Sequence, residues 1–294
     1  MASLRELRRR IKSAENIRGI TKAMEIISAV RYKKFTNRYR KANIFFEALE
    51  RIVGDIITKG LAANNPFFVN RERNHELLLV ITGERGLCGS FNSSILKELM
   101  RYLNANRDRK IAIYPIGKTS VSFARRRNLD VWKSWSDIGY QFTADSLKRN
   151  LQEVIAAFLS GEFDEVNVLT INLSRSGTSK PVIEPFLNLS YILSKKNEDQ
   201  DYLLWGQKDD EYIYEPDSQE VLRSLAELFI KQKFFVLLLK SVTAEYFARM
   251  VAMKQATENG KEVIKRLALE RNKVRQSMIT RELSEIIGGA DALK

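Results

Sequence analysis

Apolar residues in the first 60 positions recur at steps of three and four, the spacing of one face of an α-helix. The predicted stripe runs through Leu4, Leu7, Ile11, Ala14, Ile17, Ile20, Met24, Ile27 and Val30. The remaining positions are densely charged, and no proline occurs before Pro66. Because proline is strongly disfavoured inside a helix, its absence permits a long one. We therefore predict an N-terminal helix over residues 1–60, ending near Gly60.

The last part of the chain carries a longer stripe of the same kind. Its steps alternate strictly between three and four, through Met250, Met253, Thr257, Gly260, Ile264, Leu267, Arg271, Val274 and Met278. This alternation is a heptad seam, although three of its members are polar or small. With no proline after Pro216, it predicts a C-terminal helix over 217–294 that ends near Gly288 and Gly289.

The lengths of these helices decide how they pack. At 1.5 Å per residue, about 55 and about 70 residues of helix span roughly 80 Å and 105 Å, more than a compact domain of this size. Both helices join the same middle segment, one arriving and one leaving. We therefore expect their stripes to face each other in an antiparallel coiled coil. Several shorter helices in a bundle are the alternative.

The middle segment, 66–216, alternates between strand and helix patterns. Buried strands are predicted at 75–82, 110–117 and 165–173, and helices at 91–106, 119–127 and 145–159. Such alternation predicts a small, mostly parallel α/β (Rossmann-like) domain. The proline-marked segments 180–189 and 211–217 read as extended chain at a sheet edge.

Charge changes the picture more than overall composition does. The net charge is +13, and its surplus lies at the two ends: residues 1–60 hold 15 Lys/Arg against 6 Asp/Glu, whereas residues 61–216 hold 20 of each. A basic segment can bind nucleic acid, acidic lipid or an acidic protein.

The composition excludes two kinds of site: with one cysteine and one histidine, the chain has no internal disulfide and no zinc site of the usual type. The longest apolar run, 234–239, is far shorter than the roughly 20 residues that span a bilayer.

The stretch "GERGLCGSFN" at 83–92 follows a strand and precedes a helix, as phosphate-binding loops do. Its glycines do not match the dinucleotide spacing, and no Gly-Lys-Ser/Thr closes it. We interpret it as a sharp turn, with Ser90 or Asn92 capping the helix and Cys88 packed as a small apolar residue. An enzyme that uses this loop is a less favoured alternative.

Several stretches together resemble the gamma subunits of F-type ATP synthases. They are "ITKAMEIIS" at 20–28, "TGERGLCGSFNSSI" at 82–95, "YIYEPD" at 212–217, "ARMVAMKQATENG" at 248–260 and "NKVRQSMITRELSEIIGGADA" at 272–292. The resemblance implies an asymmetric antiparallel coiled coil inside a ring of three α and three β subunits. It also implies an α/β domain outside that ring, near the c ring and the ε subunit. Proton flow would turn the c ring, and this shaft would drive the β sites without catalytic residues, cofactor or metal of its own.

The resemblance also carries residue roles. Coupling to the α–β ring is implied for Met24, Arg249, Gln276, Thr280 and Glu282, with Met24 facing an acidic loop of β. Contact with the c ring and ε is implied for Tyr212 and Glu215. The simpler alternatives are a seam residue for Met24, a solvated helix face for the others on the helices, and an edge turn for Tyr212 and Glu215.

Location and rival functions follow from the same comparison. We expect a peripheral protein on the cytoplasmic side of a bacterial inner membrane, held there only through its complex; a processed organelle copy is the alternative. The coupling ion is left open. A nucleic-acid-binding arm is disfavoured because acidic residues interrupt both basic helices, and we expect no nucleic-acid partner.

Overall fold

The computed structural model describes residues 3–58, 65–68, 71, 74–139, 142–173, 179–187, 215 and 218–291. Its helices are α1 (Leu4–Thr58), α2 (Phe91–Ala105), α3 (Lys118–Arg127), α4 (Lys148–Leu159) and α5 (Ser218–Asp291), with a short 3-10 turn at Asp145–Leu147. Its strands are β1 (His75–Ile81), β2 (Lys110–Ile116), β3 (Glu165–Leu173) and β4 (Ser179–Leu187). The two long helices predicted from the sequence are therefore confirmed, and α5 continues past the predicted stop at Gly288 and Gly289.

The chain divides into two compact units, one formed by residues 1–30 with 249–294 and the other by residues 31–248. Residues of α1 and of α5 occur in both units. The boundaries drawn from the sequence, at 1–60, 66–216 and 217–294, stay predictions of how the chain is organised.

The unit of residues 31–248 is built around a four-stranded sheet in the order β2-β1-β3-β4. Strand β1 pairs in parallel with both β2 and β3, and β4 joins β3 antiparallel at the edge. The mostly parallel sheet and the edge position of 180–189 are thus confirmed. The other proline-marked segment, 211–217, lies outside the described residues except for Glu215.

Both faces of the sheet are covered, which explains why β1 is apolar along nearly its whole length. Leu78 and Val80 face one layer, to which α2, α3 and Ala244 and Ala248 of α5 contribute. Leu77 and Leu79 face the other layer, to which α4 and the parts of α1 and α5 in this unit contribute. The sheet is therefore the middle layer of three.

The unit of residues 1–30 and 249–294 contains an antiparallel helix pair. Thr21 lies within hydrogen-bonding distance of Thr257, and Arg18 packs against Gly260. Moving three residues towards the N-terminus of α1, from Thr21 to Arg18, therefore matches moving three residues towards the C-terminus of α5, from Thr257 to Gly260. Continued along the helices, this register sets Leu4 level with Val274.

The stripe predicted for α1 is wrong beyond Ala14, except at Met24, which is half-buried. Four of its members are more than half exposed, namely Ile17, Ile20, Ile27 and Val30. The contacts to α5 instead use Arg18 and Thr21. After Ala14 the next stripe position could be Ile17 or Arg18, and the prediction took Ile17 because it is apolar. That choice rotated the predicted stripe away from α5, which contacts Arg18.

The seam predicted for α5 is confirmed from Met250 to Val274, where every member is buried or half-buried. Met278 is the exception, with 45% of its surface exposed. It lies beyond the level at which α1 begins, so α1 offers no turn to cover it. Across the described residues, neither of these long helices nor any other includes a window apolar enough to span a bilayer.

Candidate coupling surface and glycine loop

Met24 and Arg249 lie in the same stretch of the helix pair. Met24 is half-buried, and its carbonyl accepts a hydrogen bond of 2.6 Å from Ser28 Oγ. Arg249 is only 6% exposed. The register sets Met24 level with Lys254, five positions from Arg249, which corresponds to about 7.5 Å along the axis. The structure therefore brings these two predicted residues close in height.

A groove of about 440 Å³ runs beside this stretch. It is lined by Glu25, Ile26, Ala29, Val30, Met250, Val251 and Lys254. Most of these side chains are apolar, and three of them are about half exposed or more: Ile26, Val30 and Val251. Sequence reasoning placed Val30 on the seam and did not single out the groove.

The other three predicted coupling residues lie near the end of α5 and are exposed. Thr280 Oγ1 donates to the carbonyl of Gln276 at 3.0 Å. These two residues are one turn apart and share a face of the helix. Glu282 is about 200° around the helix from Thr280, given 3.6 residues per turn. The structure therefore does not bring Glu282 onto that shared face.

The same end of α5 carries an exposed apolar surface that sequence reasoning missed. Its members are Met278, Ile279, Leu283, Ile286 and Ile287, each between 45% and 68% exposed. Large apolar side chains that cluster on a surface mark a contact with another molecule. The signal was available in the sequence, because positions 279, 283, 286 and 287 follow helical spacing.

The two residues expected to contact the c ring and ε, Tyr212 and Glu215, are only partly described. Tyr212 lies outside the described residues. Glu215 is exposed and belongs to no helix or strand. Their expected contacts stay predictions.

In the glycine loop, residues 83–92, the Asn92 side chain bonds to the start of the loop and does not cap α2. Its Oδ1 accepts a hydrogen bond of 2.9 Å from Gly83 N. Ser90 occupies the N-cap position of α2 but makes no side-chain cap hydrogen bond. The predicted capping by Ser90 or Asn92 is therefore wrong. Cys88 is buried in the layer formed by α2 and α3, as expected for a small apolar residue.

A carboxyl group lies against the same loop. A Cβ placed on Gly83 would lie 2.8 Å from Glu245 Cδ, and Glu245 is only 3% exposed. Phosphate-binding loops present free backbone N–H groups to an anion. Here one such group is used by Asn92, and a carboxylate in this position would repel a phosphate.

Across the described residues, no cluster of His, Cys, Asp and Glu is arranged to hold a metal ion.

A family model described as "ATP synthase" matches residues 3–293. The ATP synthase gamma chain of Fusobacterium nucleatum is 32% identical over 297 residues, and that of Desulforamulus reducens is 34% identical over 295 residues. In both comparisons, all of this chain and all of the relative are covered. The chain belongs to the family of ATP synthase gamma chains.

Solved structures agree on the fold. A chain in the rotational state 3 structure of the Euglena gracilis mitochondrial ATP synthase, described as OSCP/F1/c-ring, gives a TM-score of 0.62 at 16% identity, covering 99% of this chain and 94% of that one. A chain in the central stalk and c-ring structure of the Tetrahymena thermophila mitochondrial ATP synthase gives 0.60 at 23% identity, covering 81% of this chain and 99% of that one.

Proposed function

We propose that this chain is the central-stalk rotor of an F-type ATP synthase. It couples proton flow through the c ring to ATP synthesis and hydrolysis at the catalytic sites of the α–β ring. One observation carries the proposal: the whole chain matches ATP synthase gamma chains. The antiparallel pairing of α1 with α5 supplies the mechanical part that such a role requires.

A rotor shaft must resist bending while its outer contacts break at every turn. Two helices joined along a seam resist bending better than one. Exposed charged residues suit the outer contacts, because an exposed ion pair contributes only about 0–1 kcal/mol. The pair Lys261–Glu258, with both side chains 54% exposed, is of this kind.

The partners in this proposal are the α and β subunits, the ε subunit and the c ring. The central-stalk and c-ring assembly that gave one of the fold matches supports this set. The chain would be a peripheral protein on the cytoplasmic side of a bacterial inner membrane, held there through the complex. Its bacterial relatives support that location over a processed organelle copy.

The chain itself is proposed to be non-catalytic, without cofactor, metal or nucleic-acid partner. The arrangement of the glycine loop supports this: Asn92 occupies the N–H of Gly83, and the Glu245 carboxyl lies against that glycine. The loop also lacks the lysine that contacts phosphates in a P-loop.

Isothermal titration calorimetry on the isolated chain tests the non-catalytic role. We expect no ATP binding in the micromolar range and no ATP hydrolysis. Micromolar binding that Glu245→Gln strengthens would mean that the loop is a nucleotide site.

The coupling roles are assigned to Met24 and Arg249 within the helix pair, and to Gln276, Thr280 and Glu282 near the end of α5. The position of the first two residues, about 7.5 Å apart along the helix axis, and the exposure of the last three support these assignments. Met24 would face the acidic loop of β. Tyr212 and Glu215 would contact the c ring and ε.

The experiment for the coupling roles compares proton pumping with ATP hydrolysis in reconstituted vesicles. Thr280→Val combined with Glu282→Ala should lower the protons pumped per ATP at least about twofold, while the subunit content of the purified complex stays the same. The control is Ser224→Ala with Glu227→Ala, two exposed changes elsewhere on α5. A parallel loss of assembly and activity, or no change in the ratio, would contradict the coupling role.

A further inference from the structure

Two hydroxyl groups meet across the seam of the helix pair. Thr257 Oγ1 lies 3.0 Å from Thr21 Oγ1, and Thr257 is only 4% exposed. Thr21 Oγ1 lies 3.0 Å from the carbonyl oxygen of Arg18. Each hydroxyl has one proton, so Thr257 can donate to Thr21 while Thr21 donates to Arg18. This chain of hydrogen bonds links the two helices.

The hydroxyl pair coincides with a close approach of the helices. One turn further on, a Cβ placed on Gly260 would lie 3.4 Å from the Cβ of Arg18. A residue with a side chain larger than alanine at 260 would hold the helices apart. A small residue at 260 therefore permits the short contact between the threonines.

The contact depends on the register of the two helices. A slip of one heptad moves a side chain by about 10.5 Å along the axis and returns it to within about 20° of the same face. Contacts between apolar seam residues are non-directional and tolerate such shifts better. A polar pair at a seam position fixes register at some expense of stability. Thr257 Oγ1 also lies 2.8 Å from the carbonyl of Met253, so a slip would leave Thr257 that acceptor within its own helix and would lose the hydrogen bond between the helices.

We propose that Thr21 and Thr257 are positioning residues that fix the axial register of α1 on α5. They thereby set the height of Met24, three residues from Thr21, relative to Arg249, eight residues from Thr257. This inference rests on the proposed function, because only a coupling role makes that relative height matter. Their contribution is to specificity of alignment rather than to stability.

The register can be read directly by disulfide trapping in the full chain. Ala14→Cys with Ile264→Cys reports the observed alignment, since these positions lie level in the register. Ala14→Cys with Arg271→Cys reports a slip of one heptad. Both pairs are made with Cys88→Ala, so that the native thiol does not compete.

Each disulfide pair is combined with Thr21→Val and Thr257→Val. Valine keeps the shape of threonine, removes the hydroxyl and packs well in a seam, so the unfolding midpoint should stay the same or rise. The yield of the 14–264 disulfide relative to the 14–271 disulfide should fall at least about threefold. Thr21→Ser with Thr257→Ser, which keeps both hydroxyls, should preserve the ratio of the parent.

The second measurement uses reconstituted complexes that carry the valine or serine changes without the cysteines. The protons pumped per ATP should fall at least about twofold with valine and stay near the parental value with serine. An unchanged disulfide ratio with valine, or a ratio that serine does not preserve, would overturn the register role. A changed ratio without a change in pumping would overturn the link to coupling. Failure of the parental complex to pump would instead overturn the proposed function, because disulfide trapping needs no partner subunit.

Discussion

A single buried carboxyl group shows how the sheet constrains charge. Glu76, on β1, is fully buried. Its carboxylate oxygens accept hydrogen bonds from Asn167 Nδ2 at 2.8 Å and from Tyr102 OH at 2.9 Å, and Arg109 Nη1 lies 3.3 Å away. Burial raises the pKa of Glu76 above 4.5, although the hydrogen bonds from Asn167 and Tyr102 oppose the shift. The ionised form is therefore disfavoured in the folded protein relative to the unfolded chain.

The sign of this shift gives a pH-dependent prediction for Glu76→Gln. An acid whose folded pKa is raised destabilises the fold increasingly as the pH rises above its unfolded pKa, near 4.5. The unfolding free energy of the variant minus that of the parent should therefore increase from pH 4.5 upward and level off above the folded pKa of Glu76. Urea unfolding, followed by fluorescence to which Trp132 and Trp135 of the same unit contribute, measures it.

Glu98→Gln is the matched control for that experiment. A hydrogen bond from Arg101 lowers the pKa of Glu98, so this carboxylate stabilises the fold above its unfolded pKa and the contribution is lost as the pH falls. The unfolding free energy of Glu98→Gln minus that of the parent should therefore decrease as the pH rises. The change should be small, because the Glu98–Arg101 pair lies at the surface. A Glu76→Gln difference that is flat with pH, or that falls as the pH rises, would contradict the assignment.

Gly117 is required by its backbone and by its surroundings. Its φ is +99°, and a Cβ there would lie 2.3 Å from the carbonyl oxygen of Thr82. Left-handed strain and displacement of a backbone atom together predict that Gly117→Ala costs more than about 2 kcal/mol of unfolding free energy. Gly86→Ala, with no atom within 4 Å of the added Cβ, should change stability by less than about 1 kcal/mol. Equal urea midpoints for the two variants would refute this account of Gly117.

At the scale of the elements, continuity of α5 through Gly260 is the feature on which torque depends. Gly260→Pro removes a backbone hydrogen bond and clashes with the carbonyl of Ala256, at about 3 kcal/mol or more, and kinks the helix. We expect ATP-driven pumping to be lost while some ATP hydrolysis survives in the α–β ring. The measurement is protons pumped per ATP in complexes of verified subunit content.

Gly260→Ala separates the kink from the loss of glycine. Its Cβ would meet Arg18 at an ordinary contact distance of 3.4 Å, and alanine favours the helix by about 1 kcal/mol over glycine. Pumping per ATP should therefore be retained. If the proline variant pumps as well as the alanine variant, residues 218–291 do not act as one rod.

The elements were predictable from the sequence, but the faces of the helices were only partly so. Strand β3 was predicted at its observed bounds, Glu165–Leu173, because apolar residues recur at nearly every second position there. The stripe predicted on α1 is wrong at most positions after Ala14, since the partner helix contacts Arg18 and Thr21 there. A prediction from apolar positions places isoleucines in the interface, and so it misses an interface formed by polar residues while the isoleucines are exposed.

The candidate site divides in the same way. The absence of a phosphate-loop lysine was visible in the sequence, whereas the Glu245 carboxyl beside Gly83 depends on folding that joins distant parts of the chain. The meeting of Thr21 with Thr257 likewise depends on the register of the helices, which the heptad pattern leaves free to shift by whole repeats.

At the scale of the whole molecule, the central claim is that this chain rotates against the α–β ring while ATP is hydrolysed. The most direct test attaches a probe to the exposed position 93, through Ser93→Cys with Cys88→Ala, and observes single complexes whose α–β ring is fixed to a surface. We predict continuous rotation in one direction in ATP, with three pauses per turn because the ring has three β sites, and arrest when ATP is removed. A probe that stays still while the same complexes hydrolyse ATP at the parental rate would contradict the claim.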